Sequence, residues 1–286
     1  MRRRSALNLS LALLAAGLVA IVFLLPPGQE PGSENTLDAE PNPEVRSIQV
    51  ERMGKPRLVF AHEAGGWLLR APVMAPAHPH RIRDLLALPT LPASTRLEIK
   101  ADELPRFGLN PPLATLSLDQ DTFEFGITDG LDDRRYVRYQ GQVHLVPDTL
   151  YPQLTQGADF FIDTRLLKEG LRPERISAPH RVVWLEGDAW RSDPTPAAGE
   201  PPTDAIAPAW ESAQALSVAS GTDADGGKRI TLAFAHGITI EFDAVEQDGK
   251  FFLLRRDLNL RYQLDHDHAR VLMVMPGVVE PGPVMP

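Results

Sequence analysis

The chain has no cysteine among its 286 residues. That excludes disulfide bonds, thiolate catalysis and attachment of a lipid through cysteine. A serine nucleophile in a recognisable setting is missing too: Ser177, Ser192 and Ser220 lie in no G-x-S-x-G context, the turn that exposes a hydrolase serine. No glycine-rich phosphate loop is present. Positive charge is the scarcer sign, 29 Lys and Arg against 38 Asp and Glu for a net of −9. An acidic surface repels nucleic acid and anionic lipid headgroups alike. The sequence therefore names no catalytic residue and no cofactor.

What it carries first is an address. Arg2, Arg3 and Arg4 precede an uncharged run over residues 6–25, about the length a helix needs to cross a hydrocarbon core of roughly 30 Å. The arginines stay cytoplasmic by the positive-inside bias, and no small-x-small cleavage site precedes Pro26 and Pro27. Residues 1–25 thus read as an uncleaved single-pass anchor in the cytoplasmic membrane, with the bulk of the chain in the periplasm or an equivalent outer space. Beyond the anchor stand 26 basic and 38 acidic residues, a net of −12. Residues 26–44, rich in Pro, Gly, Glu and Asn, bury no core and read as a mobile linker. Residues 276–286 form a Pro/Gly tail expected to be disordered.

The best-specified stretch is 104–167. Leu116, Leu118, Phe123, Phe125, Ile127, Tyr136, Tyr139, Val143, Leu145 and Val146 fall in short alternating runs, the period of half-buried strands. Turn residues at 119–121, 128–130 and Gln140-Gly141 separate them into a four-stranded antiparallel meander. Asp148 is placed to cap a short helix over 149–155. This stretch resembles a bacterial family known as domain of unknown function 4340. The match is carried by Phe107-Gly108-Leu109-Asn110-Pro111-Pro112, Phe125-Gly126-Ile127, Arg135-Tyr136-Val137-Arg138, His144-Leu145-Val146 and Phe161-Ile162-Asp163-Thr164-Arg165-Leu166-Leu167. The resemblance implies a membrane-anchored extracytoplasmic protein, some relatives being similar to auxiliary components of ABC-type export or gliding-motility systems. It brings no catalytic residues with it.

A common plan repeats along the chain. Strands over 48–50, 57–61 and 67–70 precede a helix over 80–88 and a strand over 96–101 that leads into the meander. In the second half, strands over 182–185 and 190–191 precede a helix over 205–218, with Thr203-Asp204 as its cap and Ile206, Ala209, Trp210, Ala213 and Leu216 on one side. Strands at 229–234, 238–242, 251–255 and 260–264 follow. Trp67 and Trp190 are equivalent in this plan and are expected to pack beneath Leu85 and Leu216. The fold class is α+β: a first unit over 45–170 and a second over 171–275, each an antiparallel meander sheet covered by helices.

Few constellations suggest chemistry. Asp265-His266-Asp267-His268 would bind a divalent metal only on a strand, where both imidazoles share a face. The repeat instead places it at a helix start, where aspartates cap. His78-Pro79-His80 also opens a helix. Glu98, Asp102, Glu103, Asp119 and Asp121 supply carboxylates at strand ends and turns without a defined acid-base pair. Two arginine sets, Arg134, Arg135 and Arg138, then Arg255, Arg256 and Arg261, are assigned to equivalent meander strands. They are candidate anion-binding or interaction sites, unless Asp132, Asp133 and Asp257 neutralise them. The functional expectation is a non-catalytic accessory or scaffold protein with a membrane-protein partner, for which the resemblance suggests an ABC-type transporter. The alternative is a periplasmic binding or hydrolytic module acting on an envelope polymer.

Overall fold

The structure, a computed structural model, describes residues 35–37 and 44–273 apart from 94–95, 131–132 and 224–225. The expected anchor, most of the linker and the tail lie outside the described residues. Among the described residues no helix is long and apolar enough to cross a membrane.

The first half runs β1 (Asn35–Thr36), β2 (Ser47–Arg52), β3 (Leu58–Glu63), β4 (Gly66–Ala71), β5 (Ala75–Pro76), α1 (Pro79–Leu86), β6 (Pro92–Ala93), β7 (Arg96–Leu97), β8 (Ala114–Leu118), β9 (Asp121–Thr128), β10 (Arg134–Tyr139), β11 (Gln142–Pro147) and α2 (Tyr151–Leu154). The second half runs β12 (Pro173–Ala178), β13 (Arg181–Glu186), β14 (Ala189–Asp193), α3 (Thr203–Ser212), β15 (Ser217–Ser220), β16 (Lys228–Phe234), β17 (Thr239–Gln247), β18 (Lys250–Arg255), β19 (Leu260–Leu264) and α4 (His266–Leu272). Apart from a small β1–β6 ribbon, these form two antiparallel sheets. Their orders are β5-β4-β3-β2-β8-β9-β10-β11-β7 and β14-β13-β12-β16-β17-β18-β19-β15. From β4 to β7 the first order maps onto the second strand for strand. Only β5 has no counterpart.

Side-chain alternation explains the sheets. On β8, Ala114, Leu116 and Leu118 are buried and Thr115 and Ser117 are not, as a pleat with one face on a core requires. Two-residue turns fix the register. Gln140 and Gly141 have φ of 47° and 80°, and Asp248 and Gly249 have 52° and 70°, the paired left-handed residues of a tight hairpin. One apolar core runs through both sheets and includes Phe60, Phe123 and Phe161 as well as Trp210, Phe242 and Tyr262.

Several expectations are corrected. The helix over 205–218 is Thr203–Ser212, with Pro202 at its N-cap and Ala213 already extended. The next residues are drawn into backbone pairing: Ala215 N–H donates to Thr164 O at 2.8 Å, and 217–220 becomes β15, an edge strand on β19. Leu216 is consequently exposed. The strand over 96–101 shortens to Arg96–Leu97, because the chain turns at 100–103, where Glu103 N–H donates to Lys100 O. Asp148 does not cap α2, whose N-cap is Leu150; Asp148 is held by Arg135 instead. Strand β12 escaped the sequence reading because Glu174 and Arg175 break its apolar alternation.

Candidate functional site

The six arginines do not converge. Arg134, Arg135 and Arg138 lie on β10, Arg255 ends β18, Arg256 sits in the following turn and Arg261 is on β19. Because β18 corresponds to β10 and β19 to β11, Arg255 lies on the equivalent strand, whereas Arg256 and Arg261 do not. Most have partners other than the aspartates expected. Buried Arg135 reaches both Asp148 oxygens at 2.7 and 2.8 Å, donates to Gly126 O and lies over the Tyr151 ring. This arrangement ties β9, β10 and α2 together. Arg138 pairs with Glu124 at 3.0 Å, and Arg261 covers the Phe252 ring. Asp257 does bind Arg255. Arg256 pairs with Asp243, which Arg229 also contacts at 3.0 Å. Burial pushes the Asp243 carboxyl up, but the hydrogen bonds from Arg256 and Arg229 outweigh it and hold the group below its usual range.

The other candidates are likewise occupied by folding tasks. Asp265 caps α4, accepting from His268 N–H at 2.9 Å, and His266 and His268 open that helix as the repeat requires. Asp119 accepts from the N–H groups of Arg46 and Ser47 at the start of β2. Asp121 accepts from Tyr139 Oη at 2.9 Å. The glycines of the resembling segments meet each other's backbone: a Cβ on Gly126 would lie 2.1 Å from Phe107 O. There Leu104, Leu109 and Val143 build a second small core, with Phe107 and Tyr136 packed against it.

Where the two sheets meet, the segment 161–166 forms a shared strap. On its first-sheet side, His78 N–H donates to Phe161 O at 2.7 Å and Asp163 N–H donates to Pro76 O at 2.9 Å, with Ile162 opposite Ala77. On its second-sheet side, Ala215 N–H donates to Thr164 O at 2.8 Å and Leu166 N–H donates to Ala213 O at 3.2 Å, with Arg165 opposite Gln214. One run of backbone therefore seals the β5 edge of the first sheet and anchors the approach to β15 of the second. Phe161, Ile162 and Leu166 drop into the common core.

Beside the strap opens a polar cleft of about 330 Å³, lined by His78, Arg83, Asp163, Arg165, Glu169 and Gln214 among others. Asp163 and Arg165, two apart on an extended chain and so on one side of it, form a forked pair with contacts of 2.8 to 3.3 Å. Hydrogen bonding to Asp163 raises the Arg165 guanidinium further above its ordinary value. Burial, reinforced by the Arg81 charge, lowers the His78 imidazole below its ordinary value. Its Nδ1 is buried without a hydrogen-bond partner among the described residues. No hydroxyl is hydrogen-bonded to this imidazole among the described residues, so the cleft offers a polar hollow and a locked ion pair. Sequence reasoning quoted the Asp163-Arg165 dyad only as part of the resemblance; its i, i+2 charge pair was the signal that marks a clasp.

Two antiparallel sheets of common order, stitched edge to edge by a shared strap and with Arg135, Arg138, Arg255 and Arg256 engaged in internal ion pairs, define a tandem-sheet protein of the α+β class. Comparisons with curated proteins and with solved structures return no match. The sequence profile described as domain of unknown function 4340 matches residues 44–220, and the chain belongs to that family. The match covers the first sheet, the strap and the second sheet as far as β15, leaving the second meander outside it.

Proposed function

We propose that this protein is a non-catalytic accessory or scaffold component of the cell envelope, held at the outer face of the cytoplasmic membrane by residues 6–25, with covering helices on two sheet units and a membrane-protein partner. The strap supports this reading. A segment that carries the family resemblance makes the joint between the two sheets, as a rigid platform for another protein demands. The arginines before residues 6–25 and the absence of basic residues just after them support an extracytoplasmic address. A transporter of ABC type is the partner class that the resemblance favours. The deciding experiment is purification of the full-length chain from its native membrane in mild detergent, followed by mass spectrometry. Recovery of an integral membrane protein in stoichiometric amount is the expected result. Recovery of the chain alone, with hydrolytic activity on an envelope polymer, would overturn it.

A further inference from the structure

Because the two sheets share one strand order, each edge has a counterpart, and one pair of counterparts differs. In the first sheet the outer side of β4 is sealed. Ala77 N–H donates to Trp67 O at 2.9 Å, Leu69 pairs with Ala75, and the strap then covers the far side of that segment. Its counterpart β14 is the last strand of its sheet. After Pro194 the chain does not double back; it runs to Arg181, whose guanidinium donates to Pro201 O at 3.0 Å and pairs with Glu200. Prolines at 196, 201 and 202 in that loop have no N–H to donate to a ladder.

The register shows which groups are left. Gly187-Asp188 is a two-residue turn, so Glu186 and Ala189 exchange hydrogen bonds, whereas Leu185 faces Trp190 and Val183 faces Ser192 in the wider rows. The N–H and C=O of Trp190 and Ser192 therefore point out of the sheet. Among the described residues neither residue makes a backbone hydrogen bond on that side. In the first sheet, Trp67 and Leu69 at the equivalent places are paired.

Next to this open row lies a groove of about 530 Å³ containing Leu171, Leu185, Trp190, Phe234 and Ile238; Arg172 and Glu211 also line it and neutralise each other at 3.6 Å. Leu185 and Ile238 are 41% and 52% exposed. Glu174 lines it, and Asp188 and Asp193 stand at either end of β14, all three exposed and with no ion pair among the described residues. We propose that β14 is a docking edge for an extended, basic segment of a partner protein, which adds to the sheet as a further strand and seats an apolar side chain over Trp190. Main-chain bonds supply the affinity of such strand addition and side-chain pockets its selectivity. The first sheet shows the same mode in its own chain, where the segment at Ala75 to Ala77 fills the equivalent edge. The acidic surround selects positive charge.

This names the partner-binding surface of the accessory protein proposed above and rests on that reading, but its test needs no native partner, so either can fail alone. The full-length chain in detergent is titrated calorimetrically with a capped peptide of about eight alternating lysines and valines, the length of an ordinary strand. A second peptide has the same sequence with its backbone nitrogens methylated. The first is expected to bind, and the second to bind about tenfold more weakly or worse. Ser192→Pro, which deletes one outward N–H, is expected to weaken the first peptide about tenfold with an unchanged circular dichroism spectrum. Should that variant fail to fold, Trp190→Ala must lose selectivity for valine over an alternating lysine–serine peptide. Equal binding of plain and methylated peptides, or no binding, overturns the proposal. So does a concentration-dependent dimer abolished by Ser192→Pro, which would give the edge to a second copy. Binding seen only after removal of 274–286 would give it to the chain's own end and overturn it equally.

Discussion

Trp67 and Trp190 occupy one position of a twice-used hairpin: each is the second residue of a return strand, Trp67 facing His62 and Trp190 facing Leu185. Their surroundings are not the same. Trp67 lies inside a sealed sheet, and Trp190 stands beside an open edge. Neither is fully buried, and the expected packing of Trp190 under Leu216 fails because Leu216 is 63% exposed beyond the end of α3.

The tryptophan on which the second core depends is Trp210, fully buried with its ring 5.2 Å from that of Phe242. Trp210→Ala is expected to cost about 3–5 kcal/mol of unfolding free energy in denaturant titrations. Trp190→Ala, half-buried, should cost less than about 2 kcal/mol by the same reasoning on burial. Trp210 Nε1 has no hydrogen-bond partner among the described residues, so Trp210→Phe sacrifices volume and should be the milder change. Equal costs for Trp190→Ala and Trp210→Ala would contradict this assignment of the core.

Gly126→Ala tests the second small core. The added methyl carbon would meet a backbone oxygen at 2.1 Å, which cannot move without displacing the 104–109 loop. Overpacking of yielding side chains costs roughly 1–3 kcal/mol, and this contact with backbone should exceed that range or prevent folding. Gly141→Ala has open space and only a positive φ, for which about 1–2 kcal/mol is expected. Thermal melts of the two variants should separate clearly.

Asp163→Asn removes the forked counter-charge of Arg165 at the strap and leaves it only the exposed Glu169 at 3.2 Å. Loss of one partner of a fully buried pair costs about 3–5 kcal/mol; Arg165 is 30% exposed, so solvent screening reduces the figure to about 1–3 kcal/mol. The more telling readout is hydrogen exchange, which should rise at Thr164, Leu166 and Ala215 before it rises in β8 or β17. Unchanged protection across the strap would remove the clasp from the account.

Acid should loosen the second sheet through Asp243. Its folded pKa is depressed by Arg256 and Arg229, so the carboxylate contributes stability that is complete above the unfolded value of about 3.9 and is lost as pH falls through the folded one. Wild-type stability should therefore decline below about pH 4, and Asp243→Asn should flatten that part of the curve while lowering stability at neutral pH. A variant with the wild-type slope would place the acid-sensitive group elsewhere.

How much of this was legible in the chain divides along a physical line. Alternation at Leu116, Phe123, Tyr139 and Val146 and the turn pair Gln140-Gly141 are local signals, and the first meander and its hairpins followed from them. The same locality placed Asp265 at a helix start, since a cap depends on residues three apart. The edge roles of 96–97 and 217–220 and the inner strand at 173–178 were not legible, because such short or irregular strands are made by their neighbours' backbone, and a helical stripe that includes Leu216 gives way to hydrogen bonds that Ala215 and Leu216 N–H donate to Thr164 O and Gln263 O. Arg135 finding Asp148, and Arg256 finding Asp243, depend on which strands lie side by side, and charge spacing along the chain carries no information on that. By itself the sequence determined the family, the strand periods and the doubled plan. Only the tertiary structure decided that 161–166 belongs to both sheets at once and that β14 is left with free backbone groups, because backbone pairing is blind to side-chain identity and is settled by the packing of the whole core.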